Sequence, residues 1–340
     1  TLYNNRISLD YAYKKYMAAA LCNSLGNVGL SLILMFTVFR DERDTARILG
    51  TTLTLFVISL VILGVFYRKA KPAYNRKYWK FGIKYSLPIV PHGISQVLLA
   101  QFDRIMIRSM VGDAAAGIYS LAGNVQLVLT VLTDSIATVW STWFYQKMDA
   151  NDTKDIQHRA FQLCRMFAAL CVGMIAIAPE MIWILGGKQY EQATYVAVPL
   201  IMVSFVLFVY NVVVDAEYYS QKTTYIMYCT LAAALIDIVL NLFFVSRFGF
   251  VAAAYTTLTS YIFYLIFHMQ LSRKLLGFAI VRWSQVLTLG MAVVLAAVIS
   301  LLLRQNILLR YLLELVLLAV VGGKAAVQEV QTFLKTRKGE

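Results

Sequence analysis

Charge is scarce in this chain of 340 residues. Asp, Glu, Lys and Arg supply 14% of it, against 60% hydrophobic residues, whereas an ordinary soluble domain carries about 25% charge. That deficit, with a mean hydropathy of +0.66, excludes a water-solvated fold and makes lipid the solvent. Cysteine is rarer still. Cys22, Cys164, Cys171 and Cys229 stand alone, without CxxC or metal-ligand spacing, which argues against a disulfide framework or a zinc site and leaves small apolar packing residues. Three histidines, His92, His158 and His268, lie on separate segments with no carboxylate at motif spacing, so a membrane metalloprotease of the HExxH type is not indicated. A GxSxG elbow and a Gly-rich phosphate loop are also missing. No metal, no cofactor and no enzymatic activity are expected.

What is present is a series of long apolar runs. A window of about 19 residues finds them at 16–39, 47–66, 82–102, 115–140, 166–186, 194–214, 224–246, 250–271, 284–303 and 307–323. Most are long enough to cross ~30 Å of hydrocarbon as helix. The expectation is an all-α polytopic membrane protein of about ten spans. The run 307–323 is the weakest of them, because it is short and carries Arg310 and Glu314. Most Lys and Arg residues fall on alternate loops: the run "YRKAKPAYNRKYWK", the group Lys147, Lys154, Arg159 and Arg165, the group Arg273, Lys274 and Arg282, and the tail. By the positive-inside rule both termini of this chain are cytoplasmic. The net charge of +13 then reflects topology and attraction to anionic membrane lipids, and nucleic acid is not an expected partner. The chain opens at Thr1 without a signal-peptide pattern, so it is expected to be either processed or a fragment of a longer chain.

Polar residues inside apolar runs narrow the function. A carboxylate at bilayer depth costs about 2.5–3.5 kcal/mol on insertion scales, so it persists only against protein or a water-filled cavity. At helical spacing His92, Gln96, Leu99 and Asp103 share one face, with Lys84 and Pro88 near the same stripe. Tyr119, Gly123, Gln126, Thr130, Asp134, Thr138 and Ser141 form a second stripe; Ser204, Asn211, Asp215 and Tyr218 a third; Thr230, Asp237 and Asn241 a fourth. Interhelical hydrogen bonding is one reading of these stripes, and the lining of a translocation cavity is the other. Pro88 and Pro91 each remove a backbone donor, and Gly93 follows, so this helix is expected to break and to act in gating.

The stretch "LPIVPHGISQVLLAQFDRIMI" followed by "VGDAAAGIYSLAGN" resembles the polysaccharide (O-antigen or capsule repeat-unit) flippases of the multidrug/oligosaccharidyl-lipid/polysaccharide exporter superfamily, where P-x-x-PH, DR-[IM]-M-I and G-IYS recur in that order. "LGGKQYEQATYVAVPLI" and "LNLFFVSRFGFVAAAYTTLTSY" agree with later parts of the family pattern, so the likeness covers roughly residues 80–270. Arg108 and Gly123 depart from it, standing where a small residue and an aromatic are common.

The resemblance implies a V-shaped fold of two six-helix lobes followed by two further helices. Residues 1–66 would be the last two helices of the first lobe and 67–80 a basic cytoplasmic linker. Residues 81–272 would be the six-helix second lobe, 273–323 the extra pair and 324–340 a basic cytoplasmic tail, with most of the first lobe missing. The implied activity is alternating-access translocation of undecaprenyl-pyrophosphate-linked oligosaccharide across a bacterial or archaeal cytoplasmic membrane. Its implied protein partners are a polysaccharide polymerase and chain-length proteins. Arg104 and Arg108 suit pyrophosphate; His92, Asp134 and Asp237 suit coupling to an ion gradient. Gln96, Asp103, Gln126, Asn211, Asp215 and Asn241 complete the expected cavity lining. A multidrug antiporter of the same superfamily, a peptidoglycan-precursor flippase and a membrane transferase of the same pathway remain as alternatives.

Overall fold

The computed structural model describes residues 13–40, 42–70 and 75–338. Among them every regular element is helical: α1 (Tyr13–Thr37), α2 (Arg43–Ala70), α3 (Arg76–Ser86), α4 (Ile89–Met110), α5 (Asp113–Asp149), α6 (Thr153–Gly186), α7 (Thr194–Tyr219), α8 (Thr223–Phe248), α9 (Phe250–Leu276), α10 (Trp283–Leu302) and α11 (Ile307–Lys338). A single 3₁₀ turn, Lys188–Ala193, joins α6 to α7. The chain divides into two compact units, Thr1–Lys80 and Phe81–Glu340.

In the first unit, α1 packs on α2 through small residues. A Cβ added at Gly50 would lie 2.3 Å from Ser31 Oγ and 2.6 Å from its Cα, so only glycine lets the two backbones approach this closely. Asn27 Oδ1 completes the contact, accepting from Thr51 Oγ1 at 2.9 Å and from Ser31 Oγ at 3.3 Å. The outward faces carry Leu21, Leu25, Ile33, Phe36, Phe56 and Val61, all exposed, as lipid-facing helices require.

In the second unit α7 is the axis. It is apolar all round and almost wholly buried, which is the signature of a core helix. α5, α6 and α9 pack against it, α8 lies on α9 and α4, and α10 and α11 lean on α6. Phe167 of α6 stacks on Phe208 of α7 at 4.1 Å between ring centroids. Short turns force antiparallel neighbours. Between α8 and α9 the turn is one residue, Gly249 at φ +74°, a conformation that costs any L side chain strain.

The run expected to span at 82–102 is two helices. α3 ends at Ser86, Pro88 occupies the N-cap of α4 and Pro91 sits in its first turn, where a missing N–H is tolerated. The Tyr85 carbonyl, in the last turn before the break, accepts from Thr223 Oγ1 at 2.9 Å, which ties the break to the start of α8. Eight of the described helical segments are long and apolar enough to cross a membrane, from Ala20–Thr37 to Trp283–Leu302. α4 falls outside that group because it carries His92, Asp103, Arg104 and Arg108. α11 does also: it begins in the expected run 307–323 and continues into the charged 324–338.

Candidate functional site

The face predicted for α4 is the one it buries. His92, Leu99 and Asp103 are each less than a tenth exposed, and Gln96 is half-buried beside them. At its deep end four helices converge on one carboxylate. Asp103 Oδ2 accepts from Tyr119 of α5 and Thr257 of α9, both at 2.6 Å, and Oδ1 accepts from Asn241 Nδ2 of α8 at 2.7 Å. The same Asn241 amide reaches Asp237 Oδ2 at 3.2 Å, and Asn241 Oδ1 accepts from Thr256 Oγ1 at 2.5 Å. One amide thus bridges two carboxylates, each at most 3% exposed. Asp237 Oδ1 has no hydrogen-bond partner among the described residues. No Lys or Arg hydrogen-bonds or ion-pairs with either carboxylate in the described structure. Each of these contacts is an N–H or O–H donating to a carboxylate, so the oxygens a hard cation would take here are those of the two carboxylates. Among the described residues no group of three or more His, Cys, Asp or Glu side chains has metal-binding geometry, so the site is two carboxylates held by one amide N–H group and by hydroxyl donors.

A second network lies nearer the α3–α4 break. His92 Nδ1 is 2.7 Å from Thr230 Oγ1, and Thr230 donates to the Ile226 carbonyl at 2.8 Å. Gln96 Nε2 donates to Tyr264 OH at 2.9 Å. The Tyr264 ring centre lies 4.4 Å from those of both Tyr210, tilted at 38°, and His268, edge-on at 80°. His268 Nδ1 meets Glu217 at 2.7 Å, both side chains fully buried. This Glu217–His268 pair escaped the sequence reading. The signal for it was a second acid, two residues from Asp215, on one apolar span and a histidine on another.

The remaining expected residues scatter. Asp215 is buried and accepts from Ser141 Oγ at 2.8 Å and Tyr145 OH at 3.2 Å, pinning α7 to α5. Asn211 caps its own turn, donating to the Leu207 carbonyl at 3.0 Å. Gln126 is half-buried and Asp134 exposed, and neither is among the hydrogen-bond partners of Asp103 and Asp237. Arg104 lies over Gly123, where a Cβ would come within 2.8 Å of Nη2; the two places where the chain departs from the family pattern therefore involve arginines of one helix turn, since the exposed Arg108 pairs with Asp113 at 2.6 Å. Gly93 is exposed, with nothing packed where a Cβ would stand.

Residues 14–148 match the family described as polysaccharide biosynthesis protein. The likeness drawn from the motifs and this match agree. Two relatives come from Haemophilus influenzae (strain ATCC 51907 / DSM 11121 / KW20 / Rd). One, Lsg locus putative protein 1, is 22% identical over 216 residues, covering 60% of this chain and 53% of that protein. The other, an uncharacterized membrane protein, is 21% identical over 234 residues, covering 65% and 56%. The chain spans about half the length of the curated relatives it matches. A solved structure, the lipid II flippase MurJ in its inward closed conformation, superposes with a TM-score of 0.59 at 14% identity, covering 96% of this chain and 72% of that one. At that identity the likeness concerns the fold alone. The chain is a multi-pass, all-α membrane protein.

Proposed function

We propose that this chain acts in flipping undecaprenyl-pyrophosphate-linked oligosaccharide repeat units across the cytoplasmic membrane for surface polysaccharide, by alternating access driven by a cation gradient. The family match over residues 14–148 is the observation that carries the substrate class. The chemistry asks for little more than shelter. A sugar–pyrophosphate head cannot cross hydrocarbon, while its lipid tail need not leave it, so polar side chains on a bundle of apolar helices meet the requirement.

In this reading the Asp103–Asp237 cluster takes the coupling cation at the unpartnered Asp237 Oδ1, and occupancy draws α4 and α8 together through Asn241. Two buried carboxylates share one amide, with no Lys or Arg paired to either, so a cation bound between them would favour their ionised form. Arg104 and Arg108 meet pyrophosphate, Arg108 by exchanging Asp113 for phosphate oxygens. Gln126, Asp134, Asn211, Asp215 and His92 contribute polar lining, and the break at Pro88, Pro91 and Gly93 lets α4 move. The role is that of a transporter. Its two units, 1–80 and 81–340, correspond to part of one lobe with its linker, and to a second lobe carrying an extra helix pair.

Deleting the gene tests the reading directly. Cells without it should accumulate undecaprenyl-pyrophosphate-linked repeat units on the cytoplasmic leaflet and lose surface polysaccharide. Normal surface polysaccharide with no such accumulation would overturn it.

A further inference from the structure

Three helix termini meet at one end of the second unit. α6 ends at Gly186, α10 at Leu302, and α11 begins at Ile307. Between them is a cavity of about 380 Å³ whose wall includes Glu180, Trp183, Lys188, Glu191, Arg304 and Arg310. That volume lies within the range of small-molecule sites, about 300–1,000 Å³. No residue of the Asp103–Asp237 cluster takes part.

The wall is a set of ion pairs left incomplete. Arg304 pairs with Glu191 and lies 5.4 Å from the centre of the Tyr195 ring. Arg310 is 1% exposed, pairs with Glu180 and lies 4.8 Å from the Tyr311 ring centre. Yet Arg310 Nε and Glu180 Oε2 are both buried without a partner among the described residues. A buried pair that leaves one donor and one acceptor unused carries the desolvation cost of each. A ligand with an anion and an N–H cation joined by a short link would satisfy both atoms at once. The rim shows what else that ligand carries. Trp183 and Ile307 are 67% and 54% exposed, and a tryptophan at the end of a membrane-spanning helix marks headgroup depth.

We infer that this cavity binds the headgroup of a zwitterionic aminophospholipid. The phosphate lies against Arg304, Lys188 and Arg310 Nε, the ammonium donates to Glu180 Oε2, and the acyl chains run over Trp183 and Ile307. The inference stands apart from the flippase reading, because it concerns a lipid held at the end of the bundle whatever the protein transports.

Thermal unfolding of the purified full chain in detergent, with phosphatidylethanolamine, phosphatidylcholine, phosphatidylglycerol or free phosphoethanolamine added, tests it. Phosphatidylethanolamine should raise the melting temperature by a few degrees. Phosphatidylcholine, whose cation has no N–H, and phosphatidylglycerol, which has no cation, should raise it less. Free phosphoethanolamine should also fall short, since it brings no acyl chains. Glu180→Gln should remove the preference for phosphatidylethanolamine over phosphatidylglycerol. Lys188→Ala, at an exposed position outside the pair, should weaken all phosphate-bearing lipids while leaving the lipid-free chain's melting unchanged. Equal stabilisation by the three lipids, a preference for phosphatidylglycerol, or an effect of free phosphoethanolamine matching the lipid would overturn the inference. So would a phosphatidylethanolamine preference that survives in Glu180→Gln.

Discussion

Asp237 is the residue on which the coupling mechanism turns. Its Oδ2 is held by Asn241 at 3.2 Å, while its Oδ1 is buried with no partner among the described residues. Asp103 differs, because all three of its donors are in place. The two carboxylates therefore have different tasks: Asp103 positions four helices, and Asp237 keeps an open oxygen. Replacing Asp237 by Asn keeps the shape and removes the charge. The variant should reach the membrane at normal levels and melt near the parent's temperature, yet lose any stabilisation by added sodium or other alkali cation that the parent shows. Asp103→Asn instead turns an acceptor into a donor facing Asn241 or Thr257, at a cost of about 1–3 kcal/mol, and should lower the melting temperature in every salt. Cation-dependent melting retained in Asp237→Asn would remove the cation from this cluster.

Between α1 and α2 the sequence pattern is close to uninformative, since both helices are apolar on most sides. The contact is set by what is missing: Gly50 has no side chain, and Ser31 lies where one would go. Gly50→Leu should therefore separate the helices and cost about 1–3 kcal/mol through overpacking, read as lower membrane abundance and melting temperature. Gly64→Leu on the same helix, where nothing lies within 4 Å of a Cβ, should be silent. Equal loss in both variants would mean that leucine is tolerated nowhere on α2, whatever the crossing. The α3–α4 break was legible in advance because two prolines within four residues cannot continue a helix. That Thr223 would hold the Tyr85 carbonyl was not, since the two lie 138 residues apart.

At the scale of the whole molecule, orientation follows from where the cations fall. Asn75, beside the basic run, and Gln189, in the 3₁₀ turn, are both exposed and should lie on opposite sides of the membrane. In a background lacking the native cysteines, Asn75→Cys should label with an impermeant maleimide only from the cytoplasm, and Gln189→Cys only from outside. The reverse pattern would invert the orientation, and labelling of both from one side would break the span count between them. The Arg310–Glu180 pair belongs to this scale too. It joins α11 to α6 and compensates Arg310, whereas both carboxylate oxygens of the buried Glu314 have no hydrogen-bond partner among the described residues.

Composition and periodicity by themselves determined the solvent, the helical class and the faces of α4 and α8 that are buried, because hydropathy and the 3.6-residue period are local properties of the chain. They also placed His92, Gln96, Asp103, Asp237 and Asn241 on stripes. They left open which stripe meets which. Only the tertiary structure joined Asp103 to Asp237 through one amide, sent Asp134 to an exposed position, and paired Glu217 with His268 across 51 residues. In a bundle of uniformly apolar helices the hydrophobic pattern does not discriminate between neighbours, so the partners are chosen by a few buried polar atoms and by glycines that let helices close.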